Sequence, residues 1–186
     1  KSEFISVCQA MIELDVYPDF ITIDGGEGGT GAAPQEFSNY MGAPMLDGLA
    51  FAHNILRGLN IRKHIRIIAS GKVVTGFHLF RALALGALTV GLVVSDKKHR
   101  VANFHEGTVK AFVELLGAAG LDNMDNLTRS HIYRRVSLNE MSTFEEIFPS
   151  TTVGSLLDET IPERYASDFK LANINKWGVE IPTKFQ

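Results

Sequence analysis

The sequence predicts an α/β fold in which parallel strands are joined by crossover helices. Helical and strand-like apolar patterns alternate along the first half, in the order helix, strand, loop, helix, strand, loop, helix, strand. Two of the predicted strands run straight into loops of small residues, one at Asp24–Pro34 and one at Ser70–Gly71. In such folds ligands bind at the carboxyl ends of the strands, so both loops fall on the rim where a site belongs. The composition is that of an ordinary globular domain: 186 residues, 45% hydrophobic and 21% charged.

The elements follow in order. Glu3 to Leu14 reads as a helix with Phe4, Cys8 and Met11 on one stripe and Ser2 as its N-cap. Pro18 ends that region, and Phe20 to Ile23 is a short strand. Pro34 to Pro44 is polar and irregular. Met45 to Leu59 reads as a helix facing inward through Leu46, Leu49, His53 and Leu56, and Ile65 to Ala69 as a second strand. Gly76 to Leu85 is a helix with Phe77, Phe80, Leu83 and Ala84 inward. A third strand, Ala87 to Val94, is interrupted by Gly91. Ser95 to Gly117 reads as one long helix whose inner face is Val101, Phe104, Val109, Phe112 and Leu116. Leu121 to Val136 is mixed, and Ser142 to Glu145 resembles a capping box opening a short helix at Phe144 to Phe148. The resulting organisation is a β/α segment at 1–94, a helical part of the same domain at 95–161, and a surface-packed or disordered tail at 162–186.

Composition narrows the function classes. A net charge of -3 gives no general attraction to nucleic acid. One cysteine, Cys8, excludes an internal disulfide and any site of several thiolates, and it fits a reducing, cytoplasmic setting. No apolar run is long enough for a bilayer, so no membrane partner is expected. The six histidines are scattered without metal-ligand spacing, so no metal is expected.

The first loop carries the strongest signal. Gly25, Gly26, Gly28, Gly29 and Gly31 crowd one turn together with Glu27 and Thr30. Glycine is concentrated where backbone needs positive φ or where something approaches closely, and such a loop can turn several N–H groups toward an anion. A flexible surface turn is the alternative. Gly26 to Gly31 also matches the dinucleotide fingerprint, but Pro34 and a polar stretch follow where a helix should open. A Walker loop is excluded because no Lys-Ser or Lys-Thr follows the glycines. The second loop, Ser70, Gly71 and Lys72, combines backbone N–H groups, a hydroxyl and a cation, a phosphate-gripping set; an ordinary turn with a solvated lysine is its alternative. Arg129, Arg134 and Arg135 are cations within reach of an anion, with surface ion pairs as the simpler use.

Four stretches together resemble the FMN-binding synthase domain of glutamate synthases: Asp24 to Pro34, Ala69 to Lys72, Arg81 to Ala87 and Gly91 to His105. The resemblance implies a (β/α)8 TIM barrel, of which this chain holds about the last three β/α units plus a C-terminal helical extension. It implies FMN at the C-terminal rim and reductive formation of glutamate from 2-oxoglutarate and ammonia, free or glutamine-derived, with an unknown electron donor. Gly25, Gly26, Glu27, Gly28, Gly29, Thr30 and Gly31 would line the flavin and substrate side; Ser70, Gly71 and Lys72 would help hold the FMN phosphate.

Two departures accompany the resemblance. The chain is expected to begin just before the family's sixth strand. After Ala87 the family continues into a cysteine-rich segment that ligates an iron–sulfur cluster, whereas here Leu88 to Val90 runs directly into Gly91. No cluster is therefore expected. Three strands cannot close a barrel, and exposed sheet edges make self-association an expectation. A truncated, catalytically inactive segment that at most binds a partner or a phosphate-bearing ligand is the alternative reading.

Overall fold

Three parallel strands, β1 (Phe20–Asp24), β2 (Arg66–Ser70) and β3 (Thr89–Val90), form a sheet in the order β1-β2-β3. The computed structural model describes residues 1–26, 42–71, 73–90, 98–157 and 161–175. Register pairs Phe20 with Arg66 and Asp24 with Ser70, and Ile68 with Thr89. Strands adjacent in sequence are neighbours in the sheet, each joined by a helix: α2 (Met45–Gly58) between β1 and β2, α3 (Gly76–Ala84) between β2 and β3. The predicted alternation is thus present, as a mixed α/β arrangement with few strands. The central strand buries Ile67 and Ala69, whereas β1 leaves Phe20 55% exposed. Parallel strands are ordinarily covered on both faces. Among the described residues no strand pairs with the outer edge of β1.

The chain divides into two compact units. One comprises Phe20–His53 and Arg66–Ser150; the other comprises Lys1–Asp19, Asn54–Ile65 and Thr151–Gln186. The first holds the sheet, α3 and the long helix α4 (Lys98–Ala118). Its helices meet closely because Gly76 has no side chain: a Cβ there would lie 2.8 Å from the Ala111 Cβ and the Phe112 nitrogen. Phe80 then reaches Phe112, ring centroids 6.1 Å apart. The same unit carries an antiparallel hairpin of β4 (Tyr133–Arg135) and β5 (Met141–Thr143), followed by the short helix α5 (Phe144–Ile147). In the second unit, α1 (Ser2–Leu14) packs against α6 (Glu163–Leu171). The Asn54 amide donates to the buried Tyr165 hydroxyl (2.9 Å), and the Asn173 N–H donates to Ser6 Oγ (2.8 Å). The region expected to be a tail thus contributes a helix with a buried tyrosine.

Several helix faces differ from their expected ones. On α1 the buried residues are Ser2, Ile5, Ser6 and Cys8, and Lys1, not Ser2, occupies the N-cap. Ser2 instead lies inside the helix, its carbonyl accepting from the Ser6 hydroxyl (3.1 Å). On α3, Phe80, Ala82 and Ala84 are buried while Phe77 is exposed. On α4 the inner row is Thr108, Phe112 and Leu116; Val101 and Val109 lie outside. Thr108 is tolerated there because its hydroxyl donates back to the Phe104 carbonyl (2.8 Å). The capping box of α5 sits one residue later than expected: Glu146 accepts from the Thr143 N–H (2.6 Å) and donates its own N–H to Thr143 Oγ1 (3.2 Å). Glu145 is otherwise engaged, accepting from both the N–H and the hydroxyl of Ser150 at 2.7 Å. Both registers satisfy the spacing in sequence, and Glu145's second partner separates them.

Candidate functional site

The rim is built by the register of the first two strands. Because Asp24 pairs with Ser70, the two small-residue loops leave the sheet side by side from its carboxyl end. Of the residues singled out in sequence, Gly25, Gly26, Ser70 and Gly71 are described and lie together here. Glu27, Gly28, Gly29, Thr30, Gly31 and Lys72 lie outside the described residues.

The first two glycines have a structural partner. A Cβ on Gly25 would lie 2.6 Å from the Met45 nitrogen at the start of α2. A Cβ on Gly26 would lie 2.2 Å from the Gly42 Cα. Gly26 also donates its N–H to the Ala43 carbonyl (2.9 Å). Gly26 and Gly42 therefore form a neck at which the chain leaves and re-enters the rim. The close approach these two glycines permit is by the chain's own backbone. Their spacing announced a close approach, but the partner, Gly42, carries no local signal.

The second loop has a different requirement. Gly71 adopts φ +106°, a left-handed conformation that residues with a Cβ rarely take. A Cβ there would lie 3.0 Å from Asp24 Oδ1 and 3.7 Å from the Gly25 nitrogen. Asp24 is thus a rim residue that the reading of loop composition passed over, although its place at the last position of a strand could have flagged it. Ser70 is half-buried beside it. On the far side of this loop, Thr75 caps α3 by accepting from the His78 N–H (3.2 Å), and the Val74 N–H donates to His78 Nδ1 (3.3 Å). His78 therefore serves the loop's end.

The arginines of the C-terminal half separate. Arg129 is buried and donates from Nη1 to the Phe148 carbonyl, a structural role. Arg134 and Arg135 sit on exposed β4. Among the described residues no group of three or more His, Cys, Asp or Glu is placed to hold a metal, and no helix is long and apolar enough to cross a membrane. Cys8 is fully buried, and desolvation raises its thiol pKa to about 12.

Comparison with known proteins gives a consistent picture. A family model described as "Conserved region in glutamate synthase" matches residues 5–97, half of the chain. The glutamate synthase large subunit-like protein YerD of Bacillus subtilis (strain 168) is 30% identical over 155 residues, covering 64% of this chain and 30% of that protein. The archaeal glutamate synthase (NADPH) of Methanocaldococcus jannaschii is 31% identical over 160 residues, covering 66% of this chain and 31% of the relative. The chain thus spans about a third of the length of these relatives. In each case the aligned length exceeds the matched share of 186 residues, so within the matched stretch the relatives hold residues that this chain lacks. Among solved structures, an A198G:L230A mutant of flavocytochrome b2 with pyruvate bound superposes with a TM-score of 0.51 at 19% identity. It covers 68% of this chain and 31% of that chain, a likeness of fold.

Proposed function

The chain belongs to the glutamate synthase family, and from that premise we propose that it supplies one wall of an FMN-binding oxidoreductase site that forms glutamate reductively from 2-oxoglutarate and ammonia. In this reading β1, β2 and β3 are the last strands of a (β/α)8 barrel, with β4, β5, α5 and α6 belonging to an extension beyond it. The observation that carries the reading is the Asp24–Ser70 register, which sets two small-residue loops next to each other at the strand ends. Strand ends of this kind are where α/β folds bind ligands.

The described residues fit part of such a group. Ser70 offers a hydroxyl, and Gly71, in its left-handed conformation, offers backbone free of a Cβ. With Lys72 they form a donor set suited to a phosphate. The Asp24 carboxylate beside Gly71 is an acceptor, suited to a hydroxyl or ring N–H of the same ligand and repulsive to its phosphate. Gly26 and Gly42, the described residues on either side of 27–41, meet in close backbone approach at the rim. FMN, once reduced by two electrons from an external donor, would supply a hydride to the imine formed from 2-oxoglutarate and ammonia; the protein's part would be to position flavin and substrate and to exclude water.

The isolated chain has a second reading, favoured by its coverage of about a third of its relatives. By itself it binds without turnover, because the three-stranded sheet of the described residues lacks the remaining walls of a barrel, and edges left unpaired among the described residues favour self-association. With the single Cys8 buried in α1, no iron–sulfur cluster is assigned to it. The test is titration of the purified chain with FMN, followed by flavin absorbance and fluorescence, then an assay for glutamate formation. Saturable flavin binding without turnover is expected. Absence of flavin binding both here and in a longer protein containing this sequence would remove the FMN reading; turnover by the chain alone would remove the second.

A further inference from the structure

We propose that a cleft in the sheet-bearing unit, between the start of α2, α3 and the β4–β5 hairpin, binds a small oxyanion that carries a planar ring. The cleft encloses about 480 Å3. Three walls form it: the start of α2 with Leu46 and Asp47, α3 with Phe77 and Arg81, and the hairpin with Tyr133, Arg134 and Arg135. This size lies within the range of small-molecule sites.

Charge and ring chemistry select the ligand. Among the described lining residues three arginines, Arg81, Arg134 and Arg135, accompany one aspartate, Asp47. Guanidinium groups offer flat, forked donors that match carboxylate and phosphate oxygens two at a time. Arg81 is held over the Phe77 ring, 5.0 Å from its centroid, so its stem has a fixed path. The Arg135 guanidinium donates to the Leu138 carbonyl (3.1 Å), which anchors it across the hairpin turn. Two aromatic side chains stay open to water at this cleft, Tyr133 at 63% and Phe77 at 45% exposure. Exposed rings beside guanidiniums present an apolar face and a cation to the same ligand, and covering them removes apolar surface from water. Phe144, 2% exposed and edge-on to Phe148 at 5.5 Å, also lines the cleft. Tyr133 and Arg134 were exposed polar or amphipathic residues without a packing role, and the opposing helices give them a partner surface.

The experiment titrates the full chain with adenosine 5′-monophosphate, with benzoate and with inorganic phosphate, by calorimetry at low and at physiological salt. Saturable one-to-one binding is expected for the two ring-bearing anions, weakening with salt, and inorganic phosphate is expected to bind at least about tenfold more weakly. Arg134→Ala and Tyr133→Ala, both at exposed positions, should each weaken binding by about tenfold while leaving the melting temperature unchanged. Equal affinity for inorganic phosphate, or unaltered binding in Arg134→Ala, would each overturn the proposal.

Discussion

Helix α2 contains the same substitution twice with opposite expected signs. Replacing a helical glycine by alanine gains about 1 kcal/mol of helix propensity, because the unfolded chain loses freedom that glycine would otherwise retain. At Gly48 nothing opposes that gain: a Cβ would touch only Ile23 Cγ2, at an ordinary 3.5 Å. At Gly58 a Cβ would fall 2.3 Å from both Cγ and Cδ1 of Leu156 and 3.0 Å from Thr151 Cγ2. Leu156 is 3% exposed, so clearing this contact requires a buried side chain to repack. Its backbone cannot retreat freely either, since the Leu156 N–H donates to the Gly58 carbonyl (3.0 Å) and the Gly154 N–H to the Arg57 carbonyl (3.1 Å). Overpacking of this kind costs about 1–3 kcal/mol, and the tied loop places Gly58 toward the upper end. Gly48→Ala should therefore stabilise by about 1 kcal/mol, and Gly58→Ala should destabilise by about 1–2 kcal/mol net. Urea unfolding followed by both far-UV circular dichroism and intrinsic fluorescence tests this, the two probes showing whether the two compact units unfold together. A stability gain in Gly58→Ala equal to that in Gly48→Ala would refute the packing argument.

Three further outcomes follow from the same geometry. Gly107, mid-way along α4 with nothing within 4 Å of a Cβ, should yield about 1 kcal/mol of added stability on replacement by alanine, read as a rise in urea midpoint at constant slope. Gly71→Val should weaken FMN binding, because a β-branched residue at φ +106° is strained and its side chain would meet Asp24 Oδ1; unchanged flavin affinity would separate this loop from the site. Burial of the Cys8 thiol gives a pH dependence of defined sign. Its pKa is 9.0 when unperturbed and about 12 in the folded chain, so the unfolded state loses that proton first. Its contribution is fully present below pH 9 and falls by about 1.4 kcal/mol per pH unit from there toward pH 12. The difference between the native chain and Cys8→Ala isolates it, and parallel pH profiles for the two would contradict the burial argument.

The alternation of elements was legible before any coordinates because it rests on local pattern. Apolar runs of strand length at Phe20 and Ile65, periodic segments between them, and small residues at the strand ends report short-range choices that the chain makes residue by residue. The faces were less legible. Periodicity on α4 marks an apolar side that includes Val101 and Val109, but what lies against it is set elsewhere; the approach of α3 at Gly76 selected the row through Thr108 and Phe112. Phe77 had the right spacing for the core and turned instead to the cleft with Arg81.

By itself the sequence determined to within a residue where the first two strands end, that two glycine-bearing loops follow them, and which family these residues resemble. Glycine enrichment is a backbone requirement, and backbone requirements are written locally. Only the tertiary structure decided what approaches each glycine: Gly42 and Met45 for Gly26 and Gly25, and Asp24 for Gly71. It also decided that Tyr133 and Arg134 share a cleft with Arg81. These pairs are distant along the chain, and their meeting depends on strand register and helix packing, which no local pattern records.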